Sequence, residues 1–279
     1  MNATGAMRWL VICLVACSAP MATTPPATDS GGKADDGDPP PPPQGVWMPA
    51  PGTTWQWQLS GTIDTSFDVA MYDIDLFDTP QATIDELHAA GRVVICYFSA
   101  GSREDWRPDA GEFPAATLGK PLDGWPGEVW LDTRSPAVRD IMRARLDRAA
   151  AAFCDGIEPD NVDGYQNDPG FALTAATQLD YNRFLASEAH ARGLSVGLKN
   201  DLDQIPKLLD MFDWALDEQC FEFDECDTLV PFVAAGKAVF QVEYGGQARA
   251  DAVCADANAL DFDTLVKQMD LGPARIACR

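Results

Sequence analysis

Histidine and the common nucleotide and metal motifs are scarce in this sequence. It contains only two histidines, His88 and His190, and no HExxH, Walker-type or GxGxxG segment. Both histidines fall near the C-terminal ends of predicted helices, which in a barrel of alternating strands and helices lie opposite the usual catalytic end. A Ser-His-Asp or Cys-His centre, a metalloprotease, a nucleotide hydrolase and a dinucleotide enzyme are therefore not indicated.

Basic residues are also few, with 20 Lys and Arg against 43 Asp and Glu. Nucleic acid is not expected as a partner, because binding to phosphates needs a basic surface. An acidic surface would instead attract a polycation, although solubility alone explains the charge equally well.

No apolar run reaches the roughly 18 residues that a membrane-spanning helix needs. The short apolar run after Arg8 is typical of an export signal, which we assign to residues 1–17. It ends in LVAC, which resembles a bacterial lipobox and makes Cys17 a candidate lipid anchor, with ordinary cleavage a few residues later as the alternative. Residues 18–45, rich in Pro, Thr, Asp and Gly, predict a disordered linker. Residues 46–279 are expected to form one monomeric domain of a cell-envelope lipoprotein or a secreted protein.

Six cysteines follow the signal, and none of them belongs to a CxxC pair, so a zinc site is not expected. An even number of cysteines in an exported protein favours disulfides. The candidates are Cys220 with Cys226, which would close a short loop, and Cys254 with Cys278, which would fix the C-terminal region. Cys96 and Cys154 lie near predicted strands, and the sequence leaves open whether they are bonded or are buried thiols.

Apolar, β-rich segments alternate with helix-like stretches along the domain. Helices are predicted after Pro80, Ser135 and Thr174, and Gly91 and Gly193 end the first and the third. Strands are predicted at residues 54–59, 69–75, 92–98, 156–160, 194–199, 212–217, 237–243 and 274–278, the last with the weakest pattern. This alternation predicts an α/β fold, a (β/α)8 TIM-type barrel, with a doubly wound open sheet as the alternative. Residues 60–68 are too few for a full first helix, and residues 99–134 are expected to form a long loop.

Acidic residues stand at the predicted C-terminal strand ends, where the reacting groups of such a barrel gather. If the apolar residues of each strand pack outward against helices, the alternate polar residues point inward. These are Glu158, Asp160, Lys199, Gln241 and Glu243. Glu218 has the same parity as Trp214, so its orientation depends on where that strand ends. Glu158 beside Lys199 fits a buried ion pair, but paired carboxylates with aromatic rings nearby are typical of a glycosidase.

Eight segments carry a family resemblance. They are WQWQL (55–59), YDIDLFDT (72–79), VICYFSAGS (94–102), WRPDA (106–110), DGIEPDNVDGY (155–165), GLSVGLKND (193–201), DEQCFEFDEC (217–226) and VEYG (242–245). In this order they resemble glycoside hydrolase family 114, the endo-α-1,4-polygalactosaminidase family. The resemblance implies a TIM-type barrel that hydrolyses α-1,4-linked galactosamine polymers without a metal or organic cofactor. The Asp of the EPDN motif falls on Asp160 and the Glu of the EQC motif on Glu218, which makes these two residues the candidate catalytic pair.

From this resemblance we expect a retaining mechanism, with Asp160 as nucleophile, Glu218 as acid and base, and carboxyl groups about 5 to 5.5 Å apart. The polymer is expected to be cationic, with ammonium and hydroxyl groups to bind. The substrate-binding candidates are Asp73, Tyr97, Asn161, Lys199 and Glu243. Two alternatives remain open: a surface lipoprotein that binds polysaccharide without cleaving it, and a glycosidase of the same fold that acts on another polymer.

Overall fold

The computed structural model describes residues 45–279, so the predicted signal peptide, the lipid anchor at Cys17 and all of the predicted linker except Gly45 lie outside the described residues. The strands are, in chain order, β1 (Trp55–Gln58), β2 (Met71–Asp75), β3 (Val93–Ser99), β4 (Ser102–Glu104), β5 (Leu118–Pro121), β6 (Glu128–Leu131), β7 (Gly156–Asp160), β8 (Ser195–Lys199), β9 (Trp214–Glu218), β10 (Val239–Tyr244), β11 (Asp263–Lys267) and β12 (Arg275–Ala277). The α-helices are α1 (Gln81–Ala89), α2 (Pro136–Ala151), α3 (Ala175–His190), α4 (Ile205–Leu208), α5 (Val230–Ala234) and α6 (Gln247–Ala259).

The main sheet runs in the order β1-β2-β3-β7-β8-β9-β10-β11-β12. Neighbouring strands are parallel, except that β12 runs antiparallel to β11. The sheet is curled, and hydrogen bonds join residues in or next to β1 to residues in or shortly after β11. The backbone N–H of Leu59 donates to the carbonyl of Leu271 at 3.0 Å, and Nε1 of Trp55 donates to the carbonyl of Asp263 at 2.8 Å. The chain therefore has an α/β fold of TIM-barrel-like form.

The strand predicted at 274–278 is present as β12, but it is not the eighth parallel strand. The eighth parallel strand is β11, and the segment predicted at 274–278 contains the short antiparallel strand β12. The sequence of β11, DTLVK, conceals the strand because its first and last residues are charged yet buried. The carboxylate of Asp263 accepts from the backbone N–H of Gly52 at 3.0 Å and from Arg279 at 2.7 Å, which compensates its burial.

The predicted helix starts are confirmed. Helix α1 follows Pro80, α2 follows Ser135, and α3 follows Thr174, which forms a capping box with Thr177. The expectation that residues 60–68 are too few for a full helix is confirmed. The described residues between β1 and β2 form no α-helix.

Two apolar layers lie on opposite faces of the curled sheet. The outer layer packs the strands against α1, α2 and α3, and the inner layer fills the barrel below the strand ends. Aromatic rings dominate the inner layer, with Phe240 placed 4.8 Å from Trp55 and 5.4 Å from Trp214 between ring centroids. Trp214 packs closely against Gly197, because a Cβ at residue 197 would lie 2.2 Å from the indole ring. The barrel is thus a packed core with its polar groups near the mouth.

The expected orientation of β10 is reversed. Phe240 and Val242 belong to the inner layer, so Gln241 and Glu243 face the helices. The rule fails because both faces of a barrel strand are buried and apolar residues are suited to either face. The same rule holds for β7 and β8, where Ile157, Val196 and Leu198 belong to the outer layer.

Residues 99–134 are more ordered than the expected long loop. They contain a second, antiparallel sheet in the order β4-β6-β5, inserted after β3. This small sheet follows the C-terminal end of β3 and therefore stands at the end of the barrel where the strands finish.

Three disulfides tie the described chain. The bonds Cys220–Cys226 and Cys254–Cys278 are confirmed, and Cys96 is bonded to Cys154, which resolves the alternative left open by the sequence. Among residues 45–279, no helix has both the length and the apolar character that crossing a bilayer requires.

Candidate active site

Lys199 lies at the centre of the site, at the C-terminal end of β8. Its Nζ lies 2.5 Å from Oε1 of Glu158, 3.2 Å from Oε2 of Glu218 and 3.6 Å from Oδ1 of Asp160. Burial lowers the pKa of Lys199, but the three carboxylates outweigh burial and raise this pKa well above its ordinary value. A buried ammonium therefore draws together the carboxylates at the ends of β7 and β9.

Asp160 ends β7, and its two carboxylate oxygens have separate donors. Tyr97 donates its hydroxyl to Oδ2 at 3.0 Å, and the backbone N–H of Asn161 donates to Oδ1 at 2.7 Å. Burial and the charge of Asp160 raise the pKa of Tyr97 well above its ordinary value, so Tyr97 keeps the proton that it donates. These contacts fix the carboxylate of Asp160 in the barrel mouth.

Glu218 ends β9 and faces the interior, as Trp214 and Leu216 do on the same strand. Its Oε1 accepts a hydrogen bond from the hydroxyl of Tyr244, at the end of β10. Its backbone N–H donates to Oδ1 of Asn200 at 3.1 Å. Burial and Glu218 raise the pKa of Tyr244, which therefore remains a proton donor to the carboxylate.

Below the mouth, Glu158 and Asp73 form a buried polar layer. Nε1 of Trp57 donates to Oε2 of Glu158 at 2.9 Å, and Lys199 occupies the other carboxylate oxygen. Burial and the neighbouring Glu158 raise the pKa of Asp73 well above its ordinary value, and neither carboxyl oxygen of Asp73 has a hydrogen-bond partner among the described residues. Glu158 and Lys199 form the ion pair that the sequence suggested.

The predicted site residues do not all meet. Asp160, Glu218, Tyr97, Asn161 and Lys199 lie together at the barrel mouth, whereas Asp73 is fully buried beneath them. Glu243 lies on the other face of its strand, contrary to the expected inward orientation. It accepts from Nε of Arg249 in α6 at 2.9 Å and from the backbone N–H of Phe221 at 3.0 Å. Arg249 compensates the charge of Glu243, and this ion pair explains how the carboxylate is buried on the outer face of β10.

Tyr244 and Asn200 also contribute to the site, although neither was predicted to bind substrate. Both stand directly at strand ends, and that position is the signal that marks them. The two histidines lie elsewhere, as expected. His88 contacts Asp155 at 3.0 Å and His190 contacts Asp213 at 2.9 Å, and these aspartates precede β7 and β9 at the opposite end of the strands.

Two carboxylates that flank a cleft can protonate a leaving oxygen and attack or hydrate the adjoining carbon. Within the described residues, no cluster of three or more His, Cys, Asp or Glu has an arrangement that could hold a metal ion. A TIM-barrel-like sheet that presents such a pair at its strand ends defines a glycoside hydrolase.

The comparisons agree with this class. The model of glycoside hydrolase family GH114 matches residues 38–279, and the chain belongs to that family. The crystal structure of Aspergillus fumigatus Ega3 in complex with galactosamine is 46% identical, with a TM-score of 0.81, over 83% of this chain and 97% of that one. The glycoside hydrolase domain of PelA from Pseudomonas aeruginosa is 15% identical, with a TM-score of 0.64, over 80% of this chain and 97% of that domain, and shares the fold.

An uncharacterized protein of Deinococcus radiodurans is 31% identical over 170 residues, which are 55% of this chain and 52% of that protein. The chain thus matches about half the length of this relative.

Proposed function

We propose that the chain is an endo-acting glycoside hydrolase that cleaves α-1,4-linked, galactosamine-containing polysaccharide with Asp160 and Glu218. One observation carries the proposal: both carboxylates contact the ammonium of Lys199 at the barrel mouth. Oδ1 of Asp160 lies 3.6 Å from Nζ, and Oε2 of Glu218 lies 3.2 Å from it. The substrate class is supported by the 46% identity to a protein whose structure contains galactosamine.

The spacing of the two carboxylates favours a retaining mechanism. Oδ1 of Asp160 and Oε2 of Glu218 are no further apart than about 6.8 Å, the sum of their distances to Nζ of Lys199. Retaining enzymes separate their carboxyl groups by about 5 to 5.5 Å, and inverting enzymes need about 6.5 to 9.5 Å to admit a water molecule. For these two oxygens the limit lies below most of the inverting range, which supports the proposal of a retaining mechanism.

In the proposed reaction, Asp160 is the nucleophile and Glu218 is the acid and then the base. Asp160 attacks the anomeric carbon while Glu218 gives a proton to the leaving glycosidic oxygen, which leaves a covalent glycosyl ester on Asp160. Glu218 then removes a proton from water, which attacks the same carbon and releases Asp160. Tyr97 and the backbone N–H of Asn161 each hold one oxygen of Asp160 in place, which supports its role as nucleophile.

The remaining candidate site residues differ in whether a sugar can reach them. Tyr97 and Asn161 are half-buried at the mouth and are proposed to contact the sugar. Asp73, Lys199 and Glu243 are buried, with exposed fractions of 0%, 1% and 1%, and are proposed to support the site from behind it.

We also propose that the curled sheet is a variant of the (β/α)8 barrel, and that residues 46–279 form one monomeric domain. The disulfides Cys96–Cys154, Cys220–Cys226 and Cys254–Cys278 support export to an oxidising compartment. A lipid anchor at Cys17 with a Pro-rich linker over residues 18–45 would hold the domain at a cell envelope.

The decisive experiment measures reducing ends released from a partly deacetylated α-1,4-galactosamine polymer by the full chain. Asp160→Asn and Glu218→Gln should each lose at least about a hundredfold in rate. Asp168→Asn, which alters an exposed acid paired with Lys120, is the control and should retain activity. Circular dichroism should show that all variants remain folded.

Three outcomes separate the interpretations. Cleavage that depends on both carboxylates supports the proposal. Binding of the polymer without cleavage would favour a surface protein that only binds polysaccharide. A folded chain that neither binds nor cuts this polymer would mean that the proposed substrate is wrong.

A further inference from the structure

A chain of hydrogen bonds leads from Glu128 on β6 to the residue that follows Asp160. The hydroxyl of Ser102 donates to Oε2 of Glu128 at 2.6 Å, and Oγ of Ser102 lies 2.7 Å from Oγ of Ser99. Nδ2 of Asn161 donates to Oγ of Ser99 at 2.9 Å. Glu128, Ser102 and Ser99 are buried, whereas Asn161 is half-buried at the mouth. The proposed cleavage steps use none of the three buried residues.

An ionised Glu128 fixes the direction of every bond in this chain. A hydroxyl has one proton to donate, so Ser102, which gives its proton to Glu128, must accept from Ser99. Ser99 then accepts from the backbone N–H of Ser102, at 3.1 Å, and from Asn161. Only the NH₂ end of the Asn161 amide can fill that last position. The amide oxygen, Oδ1, is therefore directed away from Ser99 and is not among the buried unpaired atoms of the described residues.

The backbone of Asn161 is as tightly held as its side chain. Its φ of 60° lies in the left-handed region, and its N–H donates to Oδ1 of Asp160 at 2.7 Å. The backbone N–H groups of Ala100 and Gly101 donate to the carbonyl of Asp160 at 2.8 and 3.0 Å. Gly101 must be glycine, because a Cβ there would lie 1.6 Å from the carbonyl oxygen of Asn161. A change in the Asn161 side chain is therefore expected to reach Asp160.

We infer that Glu128, Ser102 and Ser99 are positioning residues that hold the amide of Asn161 with Oδ1 facing the sugar as a hydrogen-bond acceptor. The inference rests on the proposed function, because it places the sugar beside Asp160. An acceptor at this point suits a hydroxyl or the ammonium of an amino sugar. It disfavours the carbonyl of an acetamido group, since two acceptors would then face each other.

The charge of Glu128 controls the chain. Burial raises the pKa of Glu128 to about 7; the bond from Ser102 lowers this pKa, the charges of Glu104 and Asp160 raise it, and Arg107 lowers it. When Glu128 is protonated it donates to Ser102, the hydroxyls reverse, and Ser99 has a proton for the amide of Asn161. The amide then turns its oxygen toward Ser99 and its NH₂ end toward the sugar.

A double-mutant cycle on the full chain tests this coupling. Ser99→Ala and Glu128→Gln should each lower kcat/KM on the partly deacetylated galactosamine polymer by about tenfold, because a displaced catalytic group costs rate steeply. The double variant should be no slower than Ser99→Ala, since Glu128 acts only through Ser99. Thr133→Val is the control: it removes a buried hydroxyl that has no partner among the described residues, and it should leave kcat/KM unchanged.

A second measurement does not depend on catalysis. The side-chain NH₂ resonance of Asn161 in ¹H–¹⁵N NMR spectra, assigned from its loss in Asn161→Asp, should shift in Glu128→Gln and not in Thr133→Val. Losses that multiply in the double variant, or an unmoved Asn161 resonance in Glu128→Gln, would overturn the inference. If the parent protein does not cleave the polymer, the proposed function fails, while the resonance still decides whether the chain positions Asn161.

Discussion

Oε1 of Glu158 lies 2.5 Å from Nζ of Lys199, and neither side chain has more than 1% of its surface exposed. This buried ion pair lies directly beneath the candidate catalytic carboxylates. Asp73 lies in the same layer, and burial raises its pKa. The pair thus determines where Asp160 and Glu218 stand, although it has no access to the sugar.

Removing the ammonium should therefore affect stability as well as rate. Lys199→Met leaves the charge of Glu158 buried without its partner, and breaking a buried pair in this way costs about 3 to 5 kcal/mol. Urea unfolding followed by tryptophan fluorescence measures the loss. In the double variant with Glu158→Gln the further cost should shrink, because no unpaired charge remains. Equal losses from Lys199→Met in both backgrounds would show that the pair does not act as a unit.

The roles of Asp160 and Glu218 can be separated with an aryl galactosaminide that has a good leaving group. Such a substrate needs little proton donation, so Glu218→Gln should still form the glycosyl ester, and added azide should restore turnover. Asp160→Asn should remain inactive on the aryl substrate, because no nucleophile is left to form the ester. Azide rescue of Asp160→Asn with retention of configuration, and rescue of Glu218→Gln with inversion, would exchange the two roles.

Stability is expected to rise as the pH falls from about 8 to about 5. Burial raises the pKa of Asp163 and Asp263 to about 6, of Glu128 to about 7 and of Asp201 to about 8. In the unfolded chain these carboxyls titrate near 3.8 or 4.5, so the folded protein binds more protons throughout this window. Folding therefore becomes more favourable on acidification.

Carboxyls with lowered pKa, such as Asp132 and Glu188, oppose this trend only at pH values near and below about 4.5. Burial lowers the pKa of Lys267 to about 8, so this residue affects the pH dependence of stability above about pH 8. Urea midpoints at pH 5, 6, 7 and 8 measure the slope, which Asp201→Asn should reduce between pH 6 and 8. A midpoint that increases toward pH 8 would contradict the expectation.

Much of the site could be predicted because strand ends converge in a parallel barrel. Asp160 and Lys199 lie on consecutive strands whose outer faces are clearly apolar, so their inward orientation followed from period two. On β10 the same reasoning failed, since Phe240 and Val242 were needed among the inner aromatic rings. The charge of Glu243 is then compensated by Arg249, in the first turn of α6, a contact that depends on Glu243 facing outward.

The eighth strand was missed for a related reason. Local pattern cannot show that the charged first residue of β11, Asp263, is buried against Gly52 and Arg279, which are far from it in sequence or beyond the strand. The inserted sheet of β4, β5 and β6 also depends on long-range pairing. The chain from Glu128 to Asn161 lies partly on this insertion, so the sequence alone did not suggest it.

The packing of the barrel interior gives a last test, at Gly197. Its Cα faces Trp214 on the next strand, and the added Cβ of Gly197→Ala would lie 2.2 Å from Cζ3 of the indole. The ring has little freedom to yield, because Nε1 of Trp214 donates to Oγ of Ser195 at 2.9 Å. Overpacking of this kind costs about 1 to 3 kcal/mol, which urea unfolding should detect.

Gly111→Ala is the matched control for Gly197→Ala. Gly111 has no atom within 4 Å of the position of a Cβ, and its φ is outside the left-handed region, so alanine should be tolerated. Because Trp214 precedes Glu218 on the inner face of β9, a displaced indole should also lower the rate of polymer cleavage. If Gly197→Ala had the same free energy of unfolding and the same cleavage rate as Gly111→Ala, the inner layer would be able to rearrange around the added methyl group, contrary to its close packing.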